Sequence, residues 1–318
     1  MEAKKLYLAP LQSYTTADYR NLHQKYFGFV DKYYAPYLRF EPNKALKKSV
    51  LKDILPENNI KIPLVPQLLG TDIPMFIELL NRMKTWGYHE VNWNLGCPYP
   101  MVTGRGFGAA LMQNTDHVKR TLDLVFKSVN VELSIKCRLG FKNADEIDTL
   151  LEILNQYPIK ELTIHARTAT QMYKGRANPQ ALLPIISESR HRLVYNGDIQ
   201  SGQDIERLNQ MFKSKIGAFM IGRALLKNPF LASEIKGHYL SKEEKQKILK
   251  DFHSDFFELS KQKLEPSHLL GRMLSFWEYL SYIFDNQHKI YKSIKKIRRI
   301  DKYEILTDRI LEEEVLIS

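Results

Sequence analysis

Short apolar runs alternate with helical patterns along most of the chain. The runs have the length and composition of buried strands and lie at residues 6–9, 29–34, 62–68, 89–94, 131–138, 161–165, 193–195 and 218–221. Between them, apolar residues recur at helical spacing, and Asp72 and Thr115 are placed to cap two of the predicted helices. Eight strand-helix units of this kind predict an α/β fold, a (β/α)8 TIM barrel rather than an open sheet.

The pattern changes after Pro229. Residues 241–263, 267–287 and 290–314 are predicted as helices with no strand between them, which indicates a smaller all-α helical bundle. We therefore expect a catalytic barrel over residues 1–237 and a helical domain over residues 238–318. The last predicted helix separates isoleucines from basic residues, which predicts an apolar stripe toward the bundle and a basic stripe outward. The basic residues are Lys292, Lys295, Lys296 and Arg299.

Composition narrows the range of functions. The 318 residues are 44% hydrophobic, enough for a proper core, and the longest apolar runs are far too short for a membrane span. The start of the chain does not resemble a signal peptide, and two cysteines provide no disulfide framework. We expect a cytoplasmic protein. Because the sequence carries no dimerisation signal, we also expect a monomer with no obligate protein partner.

The charge balance favours a polyanionic partner. The formal net charge is +11, of which the first 236 residues carry +10, although residues 289–299 hold six basic side chains and no acid. An enzyme of small metabolites has no need of this excess, whereas a nucleic-acid-binding protein does. A solvated helix face in a protein that happens to be basic is the alternative.

Polar residues or glycine follow seven of the eight predicted strands. They are Gln12, Gln67, Asn94, Cys97, Arg138, His165, Arg167, Asn196, Gly197, Asp198, Gly222 and Arg223. In a (β/α)8 barrel the carboxyl ends of the strands form one rim, where active sites lie. Side-chain alternation also points Ser134, Lys136 and Arg138 toward the barrel interior. The sequence therefore predicts an active site at this rim.

Cys97 is the candidate reactive thiol. It follows a strand end and precedes a loop with three glycines at 104, 106 and 108, whereas alternation makes Cys137 a buried structural residue. A small residue buried in a tight turn is the alternative interpretation of Cys97. No metal site is predicted, because the sequence contains no CxxC, HExxH or His/Cys cluster at metal-ligand spacing.

The last two strand ends predict a phosphate site. Loops after strands seven and eight commonly bind phosphate in barrel enzymes, and here they hold residues 196–198 and 222–223. Lys136 and Gln67 would reach a ring system at the barrel centre, where a lysine can stabilise negative charge on a reduced flavin. For Lys136 an internal salt bridge with a barrel acid is the alternative.

Together these residues resemble the bacterial tRNA-dihydrouridine synthase family. The matching motifs, in the family's order, are APLQ (9–12), NLGCP (94–98), GAALM (108–112), SIKCRLG (134–140), IHART (164–168), QMYKG (171–175), YNGDI (195–199) and MIGR (220–223). A helical tail also follows where the family has one. No single motif is decisive, but the ordered set is specific.

The resemblance implies an enzyme that binds FMN and uses NADPH to reduce the C5–C6 double bond of uridine in tRNA. Reduced flavin would deliver hydride to C6, and Cys97, as a neutral thiol, would protonate C5 from the opposite side. The target uridine must be flipped out of its stack, because neither face is reachable otherwise. The basic helix of the tail would contact the RNA backbone.

The resemblance also implies which side chains bind. The family's flavin contacts correspond to Pro10, Leu11, Gln12, Gln67, Lys136, His165, Asn196, Gly197, Asp198, Gly222 and Arg223. The residues that hold the uracil or a neighbouring phosphate correspond to Asn94, Arg138 and Arg167. The chain departs from the family at Leu11, Ser13 and Met101, where methionine, glycine and a basic or small polar residue are usual.

Other functions remain open at this point. Ribosomal RNA could be the substrate in place of tRNA. An FMN barrel that reduces free pyrimidines or activated alkenes is a second possibility, although it would need neither the basic excess nor the helical tail. A catalytically inactive RNA-binding or chaperone protein is a third, but it predicts a missing thiol or phosphate site.

Overall fold

A sheet of ten strands forms the centre of the protein, for which a computed structural model describes residues 4–42, 44, 46 and 48–317. The strands are β1 (Lys5–Leu8), β2 (Lys32–Tyr34), β3 (Leu38–Arg39), β4 (Leu64–Val65), β5 (Gln67–Leu69), β6 (Glu90–Leu95), β7 (Glu132–Gly140), β8 (Glu161–Thr168), β9 (Arg192–Asn196) and β10 (Ala218–Ile221). Each pairing between these strands is parallel.

The sheet has ten strands rather than eight because one strand is divided at Pro66 and a short strand, β3, is added. Proline has no N–H to donate to a ladder, so one strand is divided into β4 and β5. β4 pairs with β2 and β5 pairs with β6, while β1 pairs with both β2 and β10. The divided strand therefore joins the two ends of the curled sheet, and short β3 is added beside β5. The predicted (β/α)8 barrel is confirmed.

Helices connect the strands and continue after them. They are α1 (Ala17–Tyr26), α2 (Lys48–Ile54), α3 (Ile73–Thr85), α4 (Pro100–Thr103), α5 (Thr115–Ser128), α6 (Glu146–Leu154), α7 (Leu182–Glu188), α8 (Gly202–Met211), α9 (Arg223–Lys227), α10 (Leu231–Ile235), α11 (Lys242–Lys261), α12 (Pro266–Leu280), α13 (Gln287–Lys295) and α14 (Ile300–Glu313). None of the helices in the described ranges is long and apolar enough to cross a membrane.

Of the two predicted helix caps, one is confirmed and one is wrong. The Asp72 carboxylate accepts the N–H of Met75 at 2.8 Å and caps α3. On α5 the cap is Asn114, whose side-chain oxygen accepts the N–H of His117 at 3.2 Å, and Thr115 is already the first helical residue. Asn114 keeps a non-helical backbone conformation, which lets its side chain turn back onto the helix.

The chain forms two compact units. The barrel unit runs up to Pro10 and over Asp31–Ile221, and the helical unit contains Leu11–Val30 and the chain from Gly222 onward. The predicted division into residues 1–237 and 238–318 stays a prediction. The helical unit also contains α1, α9 and α10, and α1 contributes Phe27 at its end, which packs edge-on against Phe252 of α11 with ring centroids 4.8 Å apart.

A buried polar network holds the helical unit together. The Trp277 indole N–H donates to the Tyr303 hydroxyl oxygen at 2.8 Å, and this hydroxyl lies 2.7 Å from Nε2 of His253. Burial lowers the pKa of His253 to about 3, so the ring is neutral at physiological pH. The network therefore connects three helices, α11, α12 and α14, through side-chain hydrogen bonds.

The predicted helix over residues 290–314 is wrong in one respect, because it is two helices. α13 ends at Lys295, and the Arg298 guanidinium donates to the carbonyl oxygens of Lys295 and Ile297 at 2.8 and 2.9 Å. Arg299 then has an extended backbone before α14 begins. Likewise, the helix predicted over 267–287 ends at Leu280 and continues only as a short 3₁₀ turn.

Charged residues meet at the amino ends of the barrel strands. The Lys32 ammonium lies 2.7 Å from a carboxylate oxygen of Glu90 and 2.7 Å from one of Glu161, and both carboxylates are almost fully buried. Tyr7 donates its hydroxyl hydrogen to Glu161 at 2.9 Å. This end of a barrel is associated with stability rather than catalysis.

Candidate active site

A chain of side-chain amides crosses the barrel interior. Asn92 donates to the Ser134 hydroxyl at 3.0 Å and accepts from the Gln67 amide at 2.7 Å. The Gln67 oxygen in turn accepts from the Asn94 amide at 2.7 Å. Three neighbouring strands, β5, β6 and β7, are thereby locked together, and the Asn94 side chain has a fixed orientation at the carboxyl end of β6.

Asn94 shapes the loop that carries Cys97. Its side-chain oxygen accepts the backbone N–H groups of Gly96 at 3.0 Å and Cys97 at 2.9 Å. The Cys97 carbonyl oxygen accepts the N–H of Ala109 at 3.0 Å. Gly108 is required here, because its φ is +58° and a Cβ at this position would lie 2.7 Å from the Cys97 carbonyl oxygen. The position of Cys97 is therefore fixed by hydrogen bonds at both its backbone N–H and its backbone carbonyl.

The Cys97 thiol is almost buried and protonated. It donates to the Tyr37 hydroxyl, with Sγ and the hydroxyl oxygen 3.8 Å apart. Burial raises its pKa, although the Tyr99 backbone N–H, the Tyr37 hydroxyl and the positive charge of Arg138 oppose this shift. A neutral thiol at physiological pH can act as a general acid but not as an immediate nucleophile.

Arg138 is a buried clamp between two loops. Its Nε donates to the Gly96 carbonyl at 3.0 Å, directly before the thiol. Its Nη1 donates to the carbonyls of Thr168 and Met172, each at 2.8 Å. The guanidinium also lies over the Tyr173 ring, 5.5 Å from the centroid. The side chain predicted to bind substrate thus also fixes the position of the Cys97 loop.

Lys136 faces the barrel interior without a counter-ion. In the part of the chain that the structure describes, no hydrogen bond or ion pair to its ammonium is formed, so the internal salt bridge considered above is absent there. Burial, followed by repulsion from Arg138, lowers its pKa to about 8. A lysine in this state is available to a ligand that carries negative charge.

Arg167 organises the next part of the rim. One of its terminal nitrogens donates to Asp198 at 2.6 Å and to the Gly175 carbonyl at 2.8 Å. The other lies 3.0 Å from Nε2 of His165. Since an arginine N–H can only donate, His165 Nε2 accepts, and the proton of the neutral ring lies on Nδ1. The buried Arg167 Nε has no hydrogen-bond partner among the described residues.

The end of β9 has the backbone shape of a tight turn. The Asn196 amide donates to the Met220 carbonyl at 2.8 Å and so ties β9 to β10. Gly197 has φ +148° and Asp198 has φ +43°, and a Cβ at Gly197 would lie 2.9 Å from Cβ of Ala177. Glycine is therefore needed at 197, where this loop passes close to the neighbouring one.

The structure groups some predicted residues and leaves others apart. In the barrel unit, one connected group contains Gln67, Asn94, Cys97 and Arg138, and a second contains His165, Arg167 and Asp198. Pro10 ends the first segment of the same unit. The helical unit contains Leu11, Gln12, Gly222 and Arg223, with Gly222 capping α9.

The basic residues of the tail lie as predicted on one face of the helical unit. Ile290 and Ile294 are buried, whereas the basic side chains are exposed. These are Lys292, Lys295, Lys296 and Arg299. Arg299 forms two hydrogen bonds to Asp301, at 3.0 and 2.8 Å, in a pair that is mostly exposed and therefore weak.

Tyr37 is the functional candidate that the sequence reasoning missed. It lies between β2 and β3, after the one predicted strand to which no polar rim residue was assigned. The rule that polar residues follow barrel strands would have found it there. A second omission is Arg105, which lies 3.0 Å from Glu41 and connects the Cys97 loop to the segment after β3.

The fold and the rim define a (β/α)8-barrel protein with a protonated thiol at the carboxyl ends of its strands and, among the residues described, a buried lysine without a counter-ion. The family profile described as dihydrouridine synthase (Dus) matches residues 7–304. The chain therefore belongs to the dihydrouridine synthase family.

Individual relatives agree with this assignment. The chain is 29% identical over 185 residues to the tRNA-dihydrouridine(20/20a) synthase of Synechocystis sp., covering 54% of each chain. It is 29% identical over 175 residues to tRNA-dihydrouridine synthase B of Pseudomonas aeruginosa, covering 55% of this chain and 52% of the relative. The match thus spans about half the length of these curated relatives.

Among solved structures, histamine dehydrogenase from Rhizobium sp. 4-9 is similar with a TM-score of 0.56 and 11% identity. The similarity covers 73% of this chain and 45% of that one. At this level of identity it supports the fold alone.

Proposed function

We propose that this protein is a tRNA-dihydrouridine synthase that reduces the C5–C6 double bond of uridines in tRNA, with bound FMN and with NADPH as reductant. The observation that carries the proposal is the protonated, loop-anchored thiol of Cys97 at the carboxyl rim of a barrel in this family. The neutral thiol supplies the proton that C5 requires, and Asn94 and Arg138 hold its loop in place.

The residues at the rim fit FMN. Among the described residues the Lys136 ammonium has no partner and favours an anion. Arg167 is paired with Asp198, but its buried Nε has no partner there and can donate to a further acceptor. FMN offers a phosphate and an electron-rich ring, and when bound it supplies hydride transfer. In the barrel unit the residues that would hold it are Pro10, Gln67, Lys136, His165, Asn196, Gly197 and Asp198. Leu11, Gln12, Gly222 and Arg223 stay predictions from the family resemblance.

The proposal is tested by incubating the FMN-loaded protein with NADPH and unmodified tRNA, and mapping dihydrouridine in the product. We expect dihydrouridine at defined tRNA positions and none when NADPH is omitted. Parallel reactions contain ribosomal RNA fragments or free uridine. Rapid NADPH oxidation with free uridine and none with tRNA would replace this proposal with a reductase of small pyrimidines.

The affinity for FMN should fall at alkaline pH through Lys136. Because the pKa of Lys136 in the ligand-free protein is about 8, its ammonium is mostly charged at pH 7 and mostly neutral at pH 9. If FMN binds more tightly to the protein with charged Lys136, its affinity falls above pH 8, by up to about tenfold per pH unit. Fluorescence titrations of FMN into apoprotein between pH 6 and 10 measure this.

The Lys136→Met variant should bind FMN more weakly at pH 7 and without this alkaline loss. Lys119→Met, which removes an exposed lysine paired with Asp123, serves as the control and should match the unchanged protein. An identical pH dependence in Lys136→Met would remove Lys136 from the FMN site.

The basic face of the helical unit is proposed to contact the tRNA backbone. Replacing Lys295, Lys296 and Arg299 together by glutamine should weaken tRNA binding and lower the slope of log affinity against log salt. Each lost phosphate contact lowers that slope by roughly one unit. The measurement is filter binding of tRNA at several salt concentrations.

A control of equal charge uses Lys127, Lys213 and Lys215. These exposed residues lie at or after the carboxyl ends of α5 and α8, so they are near the amino ends of the barrel strands, away from the rim. Their replacement by glutamine should leave the slope nearly unchanged. An equal decrease in both triple variants would mean that only overall charge matters.

A further inference from the structure

Tyr37 is packed directly against the thiol. Its hydroxyl oxygen is 3.8 Å from Cys97 Sγ, and its ring lies against the buried apolar cluster of Leu69, Cys97, Val102 and Phe107. The residue as a whole is half-buried. The phenol thus lies beside a nearly buried sulfur while the residue keeps some exposure to solvent.

The hydrogen bond between these two groups can run in either direction. In the structure the thiol donates to the Tyr37 oxygen. Burial and the neighbouring Cys97 raise the pKa of Tyr37, so the phenol keeps its proton at physiological pH and can donate it to a thiolate. Among the described residues the Tyr37 hydroxyl forms no other hydrogen bond, which leaves it free for water.

We propose that Tyr37 is a positioning residue that stabilises the Cys97 thiolate formed in each turnover and returns a proton to it from solvent. This rests on the proposed function. When C5 of the uracil is protonated, the S–H bond breaks, the C5–H bond forms, and the electron pair stays on sulfur. The Tyr37 proton then passes to sulfur, and the phenol oxygen takes one proton from solvent. One solvent proton is consumed for each dihydrouridine formed.

Other charged groups also shift the pKa values of the Cys97 thiol and the Tyr37 hydroxyl. Arg138 and Lys136 act on the thiol, and Arg39 acts on the phenol. None of them is changed when the Tyr37 hydroxyl alone is removed. A shift seen on that change therefore reports the hydrogen bond between Tyr37 and Cys97.

The test compares Tyr37→Phe with the unchanged protein, since phenylalanine keeps the ring in the cluster. The rate of Cys97 alkylation by iodoacetamide is followed against pH by mass spectrometry, in the protein as isolated. Without the phenol donor, the midpoint, the pH at which the alkylation rate is half-maximal, should rise by about one unit. This rise corresponds to about a tenfold loss of thiolate at fixed pH. Dihydrouridine formation should fall about tenfold, while reduction of bound flavin by NADPH is unchanged.

Two controls separate the possible causes. Cys97→Ala gives the background from Cys137, whose thiol is fully buried. Tyr88→Phe removes another hydroxyl, which bonds to the Ile54 carbonyl at 2.6 Å, and should leave the midpoint unchanged. A Tyr37→Phe midpoint equal to that of the unchanged protein would overturn the proposal. Absence of dihydrouridine in the unchanged protein would defeat the proposed function instead, and the alkylation result would still stand.

Discussion

Replacing Cys97 by alanine is expected to lower dihydrouridine formation by about 10²- to 10⁴-fold, the usual contribution of a positioned general acid. Reduction of the bound flavin by NADPH should continue at nearly the original rate, because that step needs no proton from the thiol. The loop should also keep its shape, since its bonds to Asn94 and Ala109 involve only the backbone of residue 97. Stopped-flow absorbance measures the first step, and quantification of dihydrouridine in tRNA measures the second.

Cys137→Ala is the matched control. Cys137 is fully buried on β7, where a substrate does not reach its thiol, and burial raises its pKa to about 12. This variant should form dihydrouridine at close to the original rate. Equal loss of both steps in Cys97→Ala would show that Cys97 is needed for structure or flavin binding, and would refute its assignment as the acid.

Replacing Lys32 by methionine is expected to lower the free energy of unfolding by about 3 kcal/mol, the lower end of the cost when a buried ion pair loses one partner. The lower end applies because Lys160 remains 3.4 Å from Glu90 and Arg192 remains 3.3 Å from Glu161. Lys32 is the cation 2.7 Å from each of two buried carboxylates, Glu90 and Glu161. Methionine keeps most of the side-chain volume, so the loss reports charge rather than packing. Urea denaturation, followed by fluorescence of the buried barrel residue Trp93, measures it.

Two further variants test this explanation. Lys119→Met breaks the exposed pair with Asp123 on α5 and should cost at most about 0.5 kcal/mol. Combining Lys32→Met with Glu90→Gln and Glu161→Gln removes the two buried carboxylate charges. Their other cations, Lys160 and Arg192, are partly exposed and can be solvated, so this combination should recover a large part of the lost stability. If Lys32→Met alone unfolds within about 1 kcal/mol of the unchanged protein, solvent reaches the cluster and the burial argument fails.

Hydrophobic periodicity was sufficient to predict the barrel, because each strand and helix carries its own local signal. The division of the strand depends on a single residue, Pro66, which has no N–H to donate. The break between α13 and α14 is accompanied by bonds from the Arg298 side chain to two carbonyls. Such details are set by hydrogen bonds that a pattern of apolar positions does not contain.

In the candidate site, too, some features could be predicted from the sequence and others could not. The rim position of Cys97, Lys136 and Arg167 could be predicted, since it follows from where strands end. The contact between Tyr37 and Cys97 joins residues that are 60 positions apart in the chain, and it depends on how two connections pack. Sequence spacing could therefore suggest that Tyr37 lies at the rim, but not that it touches the thiol.

The Arg138 clamp has a mechanical consequence. The planar guanidinium of Arg138 donates to Gly96 on one side and to Thr168 and Met172 on the other, so it links the loop after β6 to the loop after β8. Lysine has a single nitrogen and could not reproduce this fork. A displacement of the loop after β8 would therefore be transmitted through Arg138 to Gly96, the residue directly before Cys97.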